Sequence, residues 1–187
     1  MPNVVIGIQA RSTSTRLPGK CLMSLCGLPM WYWSYLTCKN TGIETYMLLD
    51  KTDTKMIDAV LPVTTKIILD TEPLYRYKQL LRKSKSTYII RITADCPLIN
   101  EYMIMDMYLQ SKLDKIKFMY NELDGMDVQI IHKSILDNYK YTSEEHVINM
   151  NKIKGDGLYT KYDMHLSVDT QTQLDMIKLV TGDKYHE

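Results

Sequence analysis

Three cations and four hydroxyl side chains crowd one short segment: Arg11, Arg16 and Lys20, with Ser12, Thr13, Ser14 and Thr15 among them. Backbone N–H groups and small hydroxyls in such a loop can cradle a polyphosphate, and the cations add charge-assisted hydrogen bonds to its oxygens. The competing reading is a solvated basic loop. The Walker A pattern GxxxxGK[ST] is absent. Two acids lie far from this loop in sequence, Asp95 in YIIRITADCPL and Asp169 in HLSVDTQTQL. An acid at the C-terminal end of a strand can hold a metal over a phosphate. Taken alone, Asp95 reads equally well as a turn former, and Asp169 reads more simply as a helix-start residue. The combination carries more: Mg²⁺ takes one or two protein carboxylates, with phosphates and water completing its shell. If loop and acids converge, they make a metal–triphosphate site.

The surrounding pattern supplies elements able to bring them together. Val4–Ile8 is a β-branched run that reads as a buried strand, and the basic loop follows it directly. Further strands are expected at 45–49, 66–69, 88–92, 117–120, 127–131 and 165–168. Helices are expected at 30–39, 55–61, 74–83, 101–112, 143–151 and 172–180. In the third of these, Leu74, Tyr77 and Leu81 give the apolar stripe. The Met, Tyr and Trp residues at 30–35 read as helix core, and 152–161 as a mobile loop. Alternating strands and helices predict an α/β fold with a mainly parallel sheet. In such sheets ligands bind beyond the carboxyl ends of the strands, where the basic loop and Asp95 fall.

Bulk properties narrow the function classes. A chain of 187 residues suits a single domain, 1–187, with no linker or repeat dividing it. The net charge of +1 excludes a global field for nucleic acid or membrane, so any anion site is local. Only five arginines stand against eighteen lysines, and two of the five sit in the first loop. Cys21, Cys26, Cys38 and Cys96 show no zinc-ligand spacing. No signal-peptide pattern or membrane-length apolar run is present, so a reducing cytoplasm is expected.

The motifs together resemble the cytidylyltransferases that make CMP-activated sugars, a group including the 3-deoxy-manno-octulosonate and acylneuraminate enzymes and a spore-coat polysaccharide branch. The family's opening ARxGSTRLPGKxL stands here as ARSTSTRLPGKCL, and RITxDCPLI spans Arg91 to Ile99. GxDVE corresponds to Gly125–Gln129, EHV to Glu145–Val147, VDTxxxL to Val168–Leu174, and RY to Arg76 and Tyr77. The resemblance implies a three-layer α/β/α sandwich, Rossmann-like and of GT-A type. It implies Mg²⁺-dependent transfer of CMP from CTP to a sugar-type acceptor, with release of pyrophosphate, by a possible homodimer. Arg11, Lys20 and Asp95 become the catalytic candidates. Ile8, Ala10, Ser14, Arg16, Thr93 and Ala94 join Arg11 and Lys20 around the nucleotide. Gly125, Asp127, Glu145 and His146 fall on the acceptor side, and Asp95 and Asp169 are the metal candidates.

The chain departs from the family pattern at Thr13, where a glycine is usual, and at Ser143–Glu144, where EREHV reads SEEHV. It is also shortened around 120–130 and 150–162. His146 and His165 read more simply as structural histidines. The alternatives are transfer from another nucleoside triphosphate and a non-catalytic nucleotide-binding homologue. A glycosyltransferase is disfavoured because Cys96 and Pro97 follow Asp95, so no DxD is formed there.

Overall fold

The structure is a computed structural model, and it describes residues 3–120, 127–138 and 168–181. The expected helix at 143–151 and loop at 152–161 lie outside the described residues, as does most of the expected strand at 165–168; Val168 itself is not in a strand. Six strands form one sheet: β1 (Val4–Gln9), β4 (Thr45–Leu49), β5 (Ile67–Leu69), β6 (Tyr88–Thr93), β7 (Phe118–Tyr120) and β8 (Val128–His132). Their spatial order is β5-β4-β1-β6-β8-β7. The first four of that order run parallel, while β8 is antiparallel to both β6 and β7.

β1 is buried on both faces, which is why it lacks the alternation of a half-exposed strand. Val4, Ile6 and Ile8 join a core with Trp31 and Tyr35 of α1 (Met30–Asn40), Met56 and Val60 of α2 (Thr54–Val60), and Ile104 of α4 (Glu101–Leu113). Val5 packs on the opposite face with Leu74, Tyr77 and Leu80 of α3 (Pro73–Ser84) and with Leu136 of α5 (Lys133–Asn138). Helices therefore cover both sides of the sheet, as the three-layer expectation requires, and the aromatic residues at 30–35 are core as expected. The stripe of α3 is corrected: Leu80 is fully buried, whereas Leu81 only flanks the core. Gly7 lies on this α3 side. A Cβ there would sit 2.8 Å from Leu48 Cδ1 and 2.9 Å from Leu80 Cδ2, so the helix packs against bare backbone.

The chain steps from β1 to β4 and β5 on one side, then crosses through α3 to place β6 against the other flank of β1. β1 and β6 therefore diverge at a topological switch point, the place where open α/β sheets form their crevice. A small hairpin, β2 (Ser24–Leu25) and β3 (Leu28–Pro29), leads into α1. The last described helix, α6 (Gln171–Thr181), docks on this hairpin region: Val168, Leu174 and Ile177 pack with Leu17, Leu25 and Met30. Among the described residues, no helix is long and apolar enough to cross a membrane.

Candidate active site

The C-terminal ends of β1 and β6 are register partners, Gln9 beside Thr93, and Ala94 N–H donates to Gln9 O at 2.9 Å. The basic loop leaves β1 here and turns at Gly19, whose left-handed φ of 74° favours glycine. The turn starts a single 3-10 turn over Lys20–Leu22, which drives Lys20 back under the loop. Lys20 is only 5% exposed. Its Nζ lies 2.5 Å from Asp95 Oδ2 and 2.7 Å from Asp169 Oδ1. Arg16 Nη2 reaches the other Asp169 oxygen at 2.8 Å from the solvent side.

Asp169 reaches this point because Val168 is fully buried and donates its N–H to Asp95 O at 3.4 Å. Neither acid is explained by local structure. The cap of α6 is Thr170, whose hydroxyl accepts Gln173 N–H at 3.3 Å while Gln173 Oε1 accepts Asp169 N–H at 2.8 Å and Thr170 N–H at 2.9 Å. This reciprocal capping box leaves the Asp169 carboxylate to Lys20 and Arg16. The Asp95 carboxylate likewise turns to Lys20 rather than to its own backbone.

Burial of the Lys20 ammonium acts to lower its pKa, but the charges and hydrogen bonds of Asp95 and Asp169 more than offset that, and the net direction is upward. A cation thus sits between two carboxylates whose oxygens are each within 2.7 Å of one nitrogen. That arrangement suits a divalent cation that draws one or two ligands from the protein and the rest from phosphate and water. Among the described residues no three His, Cys, Asp or Glu side chains form a closed metal cage. Asp127 comes to the same neighbourhood, its Oδ2 lying 3.8 Å from Cys96 Sγ, which is 4.0 Å from Asp95 Oδ1. Burial and then the nearby Asp95 push the Cys21 thiol up to about 12, and burial with Asp95 and Asp127 raises Cys96 well above the usual thiol range. These cysteines stay protonated and are packing groups, not nucleophiles.

The rest of the loop faces outward. Arg11 and Thr13 are exposed, and Ser14 Oγ accepts Leu17 N–H at 3.4 Å. The backbone N–H groups of residues 13–16 have no intramolecular acceptor among the described residues. Thr13 replaces the family's glycine without strain, because it is not among the residues with positive φ. Ala10 is 1% exposed and donates its N–H to Leu48 O at 3.3 Å. Ile8 can offer only its backbone to a ligand. It sits between Met47 and Ile92 inside the sheet with no exposed surface, so its side chain belongs to the core. Thr93 Oγ1 pairs with Cys96 Sγ at 3.0 Å, and Ala94 is buried beneath the Asp95 turn. Gly125, Glu145, His146 and His165 lie outside the described residues.

Two residues gain structural meaning. Arg76, 4% exposed, donates from Nε to Asp70 O at 2.7 Å and from Nη2 to Thr71 O at 3.0 Å and to Asp50 Oδ2 at 3.3 Å, so it ties the loop after β5 to the end of β4. Asp53, absent from the sequence-based site, accepts both Ser12 N–H and Ser12 Oγ–H at 2.6 Å. The only signal for it in the sequence is an Asp before a helix, which reads as a cap.

A mainly parallel sheet with a switch-point crevice, a basic loop after its first strand and two converging acids define a nucleotidyltransferase-type α/β fold. Solved structures support the fold. A cytidylyltransferase from Leptospira borgpetersenii matches with a TM-score of 0.81 at 22% identity, over 99% of this chain and 89% of that one. A CMP:2-keto-3-deoxy-manno-octonic acid synthetase solved with CTP matches at 0.74 and 15% identity, over 97% and 99%. The chain belongs to the cytidylyltransferase family, whose model matches residues 4–184. Among curated relatives, the 3-deoxy-manno-octulosonate cytidylyltransferase of Aliivibrio fischeri is 31% identical over 108 residues, covering 54% of this chain and 43% of the relative. The chain spans about half the length of the curated relatives it matches.

Proposed function

We propose that the protein transfers CMP from CTP to a sugar-type acceptor, in a magnesium-dependent reaction that releases pyrophosphate. The observation that carries this reading is the convergence of Lys20, Asp95 and Asp169, residues distant in sequence, beneath a basic loop at the switch point. The family, and the named chemistry of its relatives, supply the cytidine and the sugar acid.

In this reading Arg11, Arg16 and the N–H groups of residues 13–16 bind the triphosphate. Lys20, released from the acids, adds its charge to the phosphates. Asp95 and Asp169 would hold Mg²⁺, which when bound neutralises the negative charge of the phosphates and orients them. Held in line, the acceptor hydroxyl oxygen bonds to the α-phosphorus as the bond to pyrophosphate breaks, and the hydroxyl proton passes to solvent. Catalysis of this kind rests on positioning and charge stabilisation. Asp127, beside Cys96, would serve the acceptor side, to which the family motifs also assign Gly125, Glu145 and His146.

The test is a thermal-shift panel of CTP, UTP, ATP and GTP with and without Mg²⁺, followed by pyrophosphate release with candidate acceptors. A ligand at a hundred times its dissociation constant adds about 2.7 kcal/mol, or roughly 5–10 °C for a chain of this size. CTP with Mg²⁺ is expected to give that shift, and Asp95→Ala to abolish it. A shift with another nucleotide alone discards the cytidine assignment. No shift with any of the four discards the transferase reading.

A further inference from the structure

The contact between Asp53 and Ser12 is unusual for its place. A carboxylate 8% exposed lies directly behind a loop built to hold anions, where its charge opposes phosphate binding. Among the described residues no Lys or Arg pairs with it. Its partners are neutral donors: Ser12 N–H on Oδ2 at 2.6 Å, and Ser12 Oγ–H at 2.6 Å and Met56 N–H at 3.1 Å on Oδ1. Hydrogen bonds to an ionised acceptor are shorter and stronger than neutral ones. One side chain therefore caps α2 and grips the start of the phosphate loop.

The grip is on the right residue to shape the loop. Ser12 O accepts Gly19 N–H at 2.9 Å, so residues 12 and 19 pinch the loop at its base, and everything between them projects from that pinch. With Ser12 N–H consumed by Asp53, the donors left for a ligand begin at residue 13. A cleft of about 560 Å³, lined in part by Ser12, Thr13, Gly19, Asp53 and Lys55, opens alongside.

We propose that Asp53 is a positioning residue for nucleotide binding: it clamps Ser12 to the first turn of α2, and so presets the loop donors and Arg16 and Lys20 without touching the ligand. The inference rests on the proposed nucleotide function for its catalytic meaning, but the clamp itself can be tested without it.

Asp53→Ser separates the two duties. Serine caps a helix about as well as aspartate, but it is too short to bridge to Ser12. In the full chain without ligand, hydrogen exchange of the Ser12, Leu17 and Gly19 amides is expected to accelerate at least tenfold, while exchange over 54–60 stays unchanged and the melting temperature falls by only a few degrees. The dissociation constant for CTP with Mg²⁺ is expected to rise about tenfold to a hundredfold, because binding must then reorder a loop that the clamp otherwise holds preorganised. Unchanged loop exchange overturns the proposal, as does a loss of CTP affinity matched by a general loss of stability. Should Asp53→Ser fail to fold, Ser12→Ala removes one bond and leaves the α2 cap; loop exchange faster by about threefold or more supports the clamp, and unchanged exchange refutes it. Failure of the wild-type protein to bind any nucleotide removes the proposed function, and the exchange comparison still decides the clamp.

Discussion

Replacing Lys20 by methionine keeps most of the stem and removes the charge between Asp95 and Asp169. The two carboxylates then face each other with their nearest oxygens less than twice 2.7 Å apart. Two unit charges about 5 Å apart at an effective dielectric constant of 20 repel by about 3 kcal/mol. Arg16 still neutralises part of Asp169, and the Asp95 side chain is 23% exposed, so water relieves some of the rest. A net loss of about 2 kcal/mol is expected, which lowers the melting temperature by roughly 4–8 °C in EDTA. The same substitution makes the acid pair a better receptor for a free divalent cation, because no tethered ammonium has to be displaced. Millimolar Mn²⁺ is therefore expected to restore most of the lost stability in Lys20→Met and to change the wild type little. Differential scanning fluorimetry with EDTA and with MnCl₂ reads the effect, and the electron paramagnetic resonance signal of free Mn²⁺ counts the ions bound. Equal melting temperatures in EDTA, or an equal Mn²⁺ shift in the two proteins, refutes the reasoning.

Gly7→Ala places a methyl 2.8 Å from Leu48 Cδ1 and 2.9 Å from Leu80 Cδ2; both are mobile side-chain ends, so a loss of about 1–2 kcal/mol is expected in urea unfolding. His132 gives a pH dependence. Burial, then Lys117 and Lys133, lower its pKa, and its Nδ1 accepts Ser134 N–H at 3.2 Å. The folded state thus holds this proton less tightly than the unfolded chain, whose histidine titrates near 6.5. The unfolded state binds more protons just below that value, so this contribution is full above about pH 6.5 and declines as pH falls through it. Urea midpoints at pH 7.5 and 5.5 should show that decline, and His132→Asn should flatten it.

Much of the frame could be read directly, because burial on two faces leaves an unmistakable mark: β1, β4 and β6 all coincide with β-branched or apolar runs, and α4 begins where Asn100 accepts Met103 N–H as a cap. Strand direction left no such mark. Side-chain alternation is the same in either sense, so the reversal of β8 against β6 was not legible. The hairpin β2–β3 escaped because two-residue strands carry no period; its only sign is the Cys26–Gly27 pair at φ of 50° and 77°. At the site, Lys20, Asp95 and Asp169 were legible as residue types but not as an ion-paired cluster, since only tertiary packing decides that the ammonium lies between the acids. Asp53 was invisible for a different reason. Its capping role is real and local, and the second role depends on a loop 41 positions earlier.

The docking of α6 has a consequence for how the protein is made. Lys20 and Asp169 are 149 positions apart, and Asp169 arrives only when Val168, Leu174 and Ile177 close on Leu17, Leu25 and Met30. A nascent chain still short of these residues contains β1, β4, β5 and β6 but has only Asp95 to set against the Lys20 charge. The acid pair is therefore completed only once residues 168–177 have been made and have docked, and a ligand that needs both acids stabilises only chains in which that docking has occurred.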